Sequence, residues 1–65
     1  MKLTVNGEAH EVEAVTLEEL LAALDYEGRW LATAVNSDLV HVANRAEFKL
    51  TDGDRIEILS PMQGG

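Results

Sequence analysis

The sequence predicts an α+β fold: a mixed four- to five-stranded sheet with one main helix packed on one face. Three observations predict it. An Asn-Gly pair, Asn6-Gly7, separates two alternating apolar runs. A helix-start signature, Thr16-Leu17-Glu18-Glu19, opens a leucine stripe. Further short alternating runs follow, ending at Arg55-Ile56-Glu57-Ile58-Leu59.

Leu3-Thr4-Val5 alternates with Lys2 and Asn6, which is strand periodicity. Asn6-Gly7 suits a two-residue type I′ turn, because both central positions need positive φ. Glu8 to Val15 then returns as a second strand, with His10, Val12 and Ala14 on the core face and Ala9, Glu11 and Glu13 on the other. Thr16 and Glu19 form a capping box, each side chain satisfying a backbone N–H left orphaned by the helix start. Leu17, Leu20, Leu21 and Leu24 follow at the spacing of one apolar stripe. Burying such leucines contributes roughly 1.5–3 kcal/mol each before entropy. Asp25 to Gly28 reads as the helix exit, with Gly28 as the left-handed residue beyond it.

Leu31 to Val35 reads as a third strand, Asn36-Ser37-Asp38 as a turn, and Leu39 to Val42 as a short fourth strand. Ala43 to Lys49 shows no clear period and predicts a turn or a short 3-10 piece. Thr51-Asp52-Gly53-Asp54 is a tight turn, with Asp side chains bonding nearby N–H groups and Gly53 at positive φ. Ile56 and Ile58 share one face of a last strand; Arg55, Glu57 and Leu59 share the other. A hairpin, a crossover helix and later strands pack as one sheet with a helix across it, with a later strand parallel to the first. This is the β-grasp arrangement, a single domain over residues 1–65 with residues 60–65 as a flexible C-terminal tail.

At 65 residues without cysteine, the chain has no disulfide staple and no thiolate metal site. Twelve acidic against five basic residues give a formal net charge of −7. That charge argues against nucleic acid and anionic membranes and favours a partner with a basic face; it also serves solubility. No leader and no run of membrane-spanning length is present, so residence in the cytoplasm is expected.

Met62-Gln63-Gly64-Gly65 is the stretch the rest is read as serving. Gly64 and Gly65 have no side chain to bury. They are either a frayed end or linker scar, or an arm that threads a narrow slot in a partner and presents the carboxylate of Gly65. Leu59, beside that tail and facing away from the helix, is either a docking contact or ordinary strand packing. Asp52 and Asp54 lack the remaining positions of a calcium loop and read as turn chemistry. His10 and His41 lie on different strands without a nucleophile pattern and read as solvated or half-buried. Trp30, next to Arg29, reads as packing under the helix exit, with a stacking anchor for a partner as the alternative.

The Asn6-Gly7 hairpin, Thr16-x-x-Glu19 with Leu20-Leu21, Ala34-Val35-Asn36, Leu50-x-Asp52-Gly53-Asp54 and the Gly64-Gly65 end together resemble the ThiS-type sulfur carriers of bacterial thiamine biosynthesis, in the ubiquitin-like β-grasp family. One departure is that family members often carry Pro-Arg after the valine of the short fourth strand. Here Val40 is followed by His41-Val42, which bears on partner contacts near that strand. The resemblance implies that an E1-like adenylyltransferase of the ThiF type adenylates Gly65 with ATP. A sulfur donor protein then gives a thiocarboxylate, which a thiazole synthase of the ThiG type consumes. It implies a carrier that is a substrate of its partner enzymes, with no cofactor or metal of its own, Met62 and Gln63 lining the tail's path. The small subunit of molybdopterin synthase and a ubiquitin-like protein modifier are the alternatives, along with a plain β-grasp binding module whose glycines are incidental.

Overall fold

The computed structural model describes residues 1–26 and 31–60. The expectations placed on Gly28, Trp30 and the tail from Pro61 to Gly65 lie outside the described residues.

Strand β1 (Lys2–Val5) and strand β2 (Glu8–Glu11) form the first hairpin, with Val5 opposite Glu8. Asn6 at φ 50° and Gly7 at φ 84° make the two-residue turn that the Asn-Gly pair predicts. The second strand is shorter than the expected Glu8–Val15. Its last bond to the first strand is Val12 N–H to the Met1 carbonyl, 2.9 Å, and beyond it the chain turns toward the helix. The alternation nonetheless continues: His10, Val12 and Ala14 are half-buried, while Ala9, Glu11 and Glu13 are exposed.

Helix α1 (Leu17–Ala23) starts with the predicted capping box. The Glu19 N–H donates to Thr16 Oγ1 at 3.2 Å, and Glu19 Oε1 accepts from the Thr16 N–H at 3.3 Å and the Val15 N–H at 2.8 Å. The other two orphan donors of the first turn go to a distant segment: Leu17 N–H to the Phe48 carbonyl, 3.0 Å, and Glu18 N–H to the Arg45 carbonyl, 3.1 Å. Leu17 and Leu20 have no exposed surface and Leu21 is buried, so the apolar stripe faces the core as its spacing requires.

The helix ends where the expected exit, Asp25 to Gly28, begins. Leu24 is its C-cap and Asp25, at φ 65°, is the left-handed residue that follows. The N–H of Asp25 reaches the Ala22 carbonyl at 3.2 Å and that of Tyr26 the Leu21 carbonyl at 2.9 Å. Tyr26 packs against the core. An aspartate thus takes the left-handed position that follows the C-cap. Aspartate tolerates this backbone better than most side chains, and the two closing bonds with the apolar contact of Tyr26 hold it there.

Strand β3 (Ala32–Val35) and strand β4 (Asp38–Val40) form a second hairpin around Asn36 and Ser37, both at positive φ, 53° and 76°. The fourth strand ends at Val40, because His41 caps a 3-10 turn over Val42–Asn44. Strand β5 (Arg55–Leu59) completes the sheet. Among the described residues the strand order is β2-β1-β5-β3-β4. β5 runs parallel to β1 and antiparallel to β3, so the last strand lies at the centre of a mixed sheet. This is the β-grasp fold, with the helix leucines meeting Leu3, Val5, Val35, Val40, Ile56 and Ile58 in one core.

Candidate functional site: the end of the central strand and the open sheet face

Residues directly opposed on neighbouring strands share a face, and the face alternates along each strand. Val35 opposes Ile56 and Thr33 opposes both Ile58 and Val40; these five are buried under the helix. The other face follows from the same register. Leu59 lies opposite Ala32, and Ala34 lies between Glu57 and Leu39. Leu59 is 69% exposed and Leu39 62% exposed. Leu59 therefore faces away from the helix at the end of β5, as alternation predicts.

Leu39 was not singled out by the sequence reading. The signal was available, because a two-residue turn at Asn36-Ser37 sets Leu39 opposite Ala34 and puts Val40 on the core side. Together Leu59, Ala32, Ala34 and Leu39 form an apolar path across the open face, bordered by Glu57 and Arg55 of the same strand. Isolated exposed leucines are ordinary. Two on one sheet face, joined by small side chains that leave the surface flat, make a surface suited to a partner.

Two asparagines hold the strand that leads to this end. Asn36, in the β3–β4 turn, donates its backbone N–H to the Arg55 carbonyl at 2.7 Å and accepts the Arg55 N–H at Oδ1, 3.0 Å. Its Nδ2 donates to Asp54 Oδ1 at 2.9 Å. Asn6, in the β1–β2 turn, accepts the Ile58 N–H at Oδ1, 2.8 Å, and donates Nδ2 to the Ile58 carbonyl at 3.1 Å. An open depression lined by Asn6, Gly7, Glu57, Ile58 and Leu59 lies beside this contact. Gly65, Gly64, Gln63 and Met62, the residues the sequence reading assigns to chemistry and its approach, continue the chain beyond Pro61, outside the described residues.

The remaining polar candidates serve structure. Asp52 Oδ1 accepts the Lys2 N–H at 2.6 Å, Asp54 Oδ2 accepts the Thr51 N–H at 2.8 Å, and Gly53 sits at φ 92°: a turn, as expected. His10 is half-buried with Nε2 3.9 Å from Glu8, and His41 is exposed at the start of the 3-10 turn; the fold does not bring them together. No three His, Cys, Asp or Glu side chains converge as metal ligands among the described residues.

Arg45 was missed by the sequence reading. It is only 4% exposed. Its Nε donates to Thr33 Oγ1 at 3.1 Å and an Nη donates to the Leu31 carbonyl, while Thr33 Oγ1 donates to the Val40 carbonyl at 2.7 Å. This chain of bonds ties the irregular segment before β5 to the back of β3. In a stretch without periodicity, nothing local marks an arginine as buried.

Comparison with known proteins places the chain. The family model of the ThiS family matches residues 3–65. The sulfur carrier protein ThiS of Thermus thermophilus is 33% identical over 61 residues, spanning 94% of this chain and 95% of that one. A thiazole synthase of Paramagnetospirillum magneticum is 36% identical over 66 residues; the match covers 100% of this chain but only 20% of that longer protein. Among solved structures, the crystal structure of a thiamine biosynthesis protein (ThiS) from Geobacter metallireducens superposes with a TM-score of 0.83 at 30% identity, covering all of both chains. A solution structure of a thiamine biosynthesis protein from the same organism gives 0.84 at 30% identity, covering all of this chain and 88% of that one.

Proposed function

The chain belongs to the ThiS family, and from that premise we propose that it is a sulfur carrier of thiamine biosynthesis, with the carboxylate of Gly65 as the group that carries sulfur. The observation that carries the reading is the extent of the family match, which runs to residue 65 and takes in Met62-Gln63-Gly64-Gly65.

A carboxylate is a poor electrophile. In adenylation by an E1-like enzyme of the ThiF type, one carboxylate oxygen attacks the α-phosphorus of ATP, pyrophosphate leaves, and the resulting acyl adenylate carries AMP as a good leaving group. A persulfide of a donor protein then attacks the carbonyl carbon and AMP leaves; a thiol attacks the donor's sulfur in the resulting acyl disulfide, which releases the thiocarboxylate and leaves the donor sulfur and the thiol joined as a disulfide. The thiocarboxylate that results is the sulfur source for a thiazole synthase. That a thiazole synthase carries a stretch similar to the whole of this chain supports such an enzyme as the consuming partner.

In this scheme the small protein is a substrate of its partners, which supply the charge stabilisation and any general base. Its own contribution is delivery. Leu59, with Leu39 across the sheet, supplies an apolar docking surface, and Gly64 and Gly65 lack the Cβ atoms that would obstruct a narrow slot. A basic face on the partner complements the net charge of −7 and speeds encounter.

The chemistry requires Gly65 to be the terminal residue. With a ThiF-type enzyme and ATP, the chain supports pyrophosphate release, and deletion of Gly65 or addition of one residue after it abolishes this while the fold survives. Full activity of either variant rejects the reading. Recovery of the chain joined through Gly65 to lysines of other proteins would point to a protein modifier.

A further inference from the structure

We propose that Asn6 is a positioning residue for the reacting tail: its carboxamide fixes the end of β5 and so the point at which the chain leaves the sheet at Ser60. The proposal rests on the carrier reading above.

The parallel ladder between β1 and β5 is short. It pairs only Thr4 with Arg55 and Val5 with Ile56. The N–H groups of Thr4 and Asn6 donate to the carbonyls of Asp54 and Ile56, at 3.0 and 2.9 Å. Continued by one more step, the ladder would use the Asn6 carbonyl and the N–H two residues later to bond both polar groups of Ile58. The chain cannot continue, because at Asn6, φ 50°, it turns away into the hairpin.

The Asn6 side chain supplies both missing bonds. Its Oδ1 takes the Ile58 N–H and its Nδ2 gives to the Ile58 carbonyl. One planar amide thereby stands in for a stretch of strand and holds the peptide planes on both sides of Ile58. The opposite edge is held by β3, where Leu59 pairs with Ala32. Without the Asn6 amide, the last two residues of β5 are held from one edge alone. Gly65 lies six positions beyond Leu59, a reach of at most about 22 Å, so the place where β5 ends sets the point from which the reacting group must reach its site. Leu59 keeps its partner on β3, so docking survives the loss while delivery suffers.

Asn6→Gly is the direct test, because glycine accepts φ 50° and only the carboxamide is removed. Asn36→Gly is its matched control: it removes a comparable amide at the opposite end of the same strand. Pyrophosphate release by a ThiF-type adenylating enzyme is measured for both, with amide exchange at Ile58. For Asn6→Gly the expected result is faster exchange at Ile58 and a kcat lowered by about fivefold, of the size a small misalignment produces, with KM for the carrier unchanged. Asn36→Gly leaves kcat and KM at wild-type values.

Asn6→Asp, which keeps the backbone conformation and the acceptor but sets a carboxylate oxygen against the Ile58 carbonyl, lowers kcat in the same direction. Wild-type kcat in Asn6→Gly or Asn6→Asp, or an equal loss in Asn36→Gly, overturns the role of Asn6 alone. A wild-type chain that is not adenylated sinks the carrier reading and this role with it.

Discussion

The two hairpins place an asparagine at the same point of the same turn, and the two asparagines hold opposite ends of one strand. Asn36 grips the entry of β5 at Asp54 and Arg55; Asn6 grips its exit at Ile58. Their surroundings differ. The Asn36 contacts are exposed, and backbone and side chain act together there: its N–H bonds the Arg55 carbonyl while its Oδ1 takes the Arg55 N–H. The Asn6 contact is partly buried and lies where the ladder has ended. The difference teaches that the same turn residue supplements a backbone pairing at one end of a strand and stands in for a missing one at the other, the end that leads to Ser60.

The comparison breaks most thoroughly if the core is damaged, because then both ends are loosened alike. Leu20→Ala removes a fully buried side chain from the centre of the helix stripe and is expected to lower unfolding free energy by about 2–5 kcal/mol. Denaturant unfolding measures it, and amide exchange then rises at Arg55 and Ile58 together.

Arg45→Ala is next. It removes the donors that serve Thr33 and the Leu31 carbonyl in a buried site, at an expected cost of about 1–3 kcal/mol. It loosens β3, the edge that both ends of β5 share, so exchange at Ala34 and Ile58 rises together in an NMR exchange experiment. Asn36→Gly sharpens the contrast, with an expected loss of about 1 kcal/mol, faster exchange confined to the entry of the strand, and adenylation untouched.

The smallest effect on stability is expected of Leu59→Asp. The side chain is 69% exposed, and the melting temperature should move by no more than a change within about 0.5 kcal/mol allows. Its effect on adenylation is the reverse of negligible. KM for the carrier should rise, since a charge now interrupts the apolar path from Leu59 to Leu39; an unchanged KM dismisses that surface as the docking site.

Elements with a local cause were legible in the sequence. Asn6-Gly7, Thr16 with Glu19, and Gly53 between two aspartates each carry their own turn or cap chemistry, and the structure has each in place. Leu59 was legible because strand alternation needs nothing but the strand. What depended on distant partners was not. Arg45 is buried by β3, and the first turn of the helix is completed by the carbonyls of Arg45 and Phe48; neither fact has a signature within its own segment. The helix exit fell between the two cases. It falls where the sequence places it, from Asp25 on, but that Asp25 itself is left-handed follows from the bonds of Asp25 and Tyr26 back into the last turn, which no local propensity announces. The role of Asn6 was hidden for the same reason, since as a turn residue it needed no further explanation.

The account turns on sulfur being carried at Gly65, and intact mass measurement of the chain from its native host reads this most directly. Alkylation before analysis traps a terminal thiocarboxylate, and fragmentation assigns it. High mass resolution is required because oxidation of Met1 or Met62 gives nearly the same nominal gain as exchange of oxygen for sulfur. The account predicts an alkylated species whose modification maps to Gly65 and disappears when the adenylating enzyme is deleted. A chain that carries no trapped sulfur when thiamine is being made, or one whose mass gain maps only to its methionines, contradicts it.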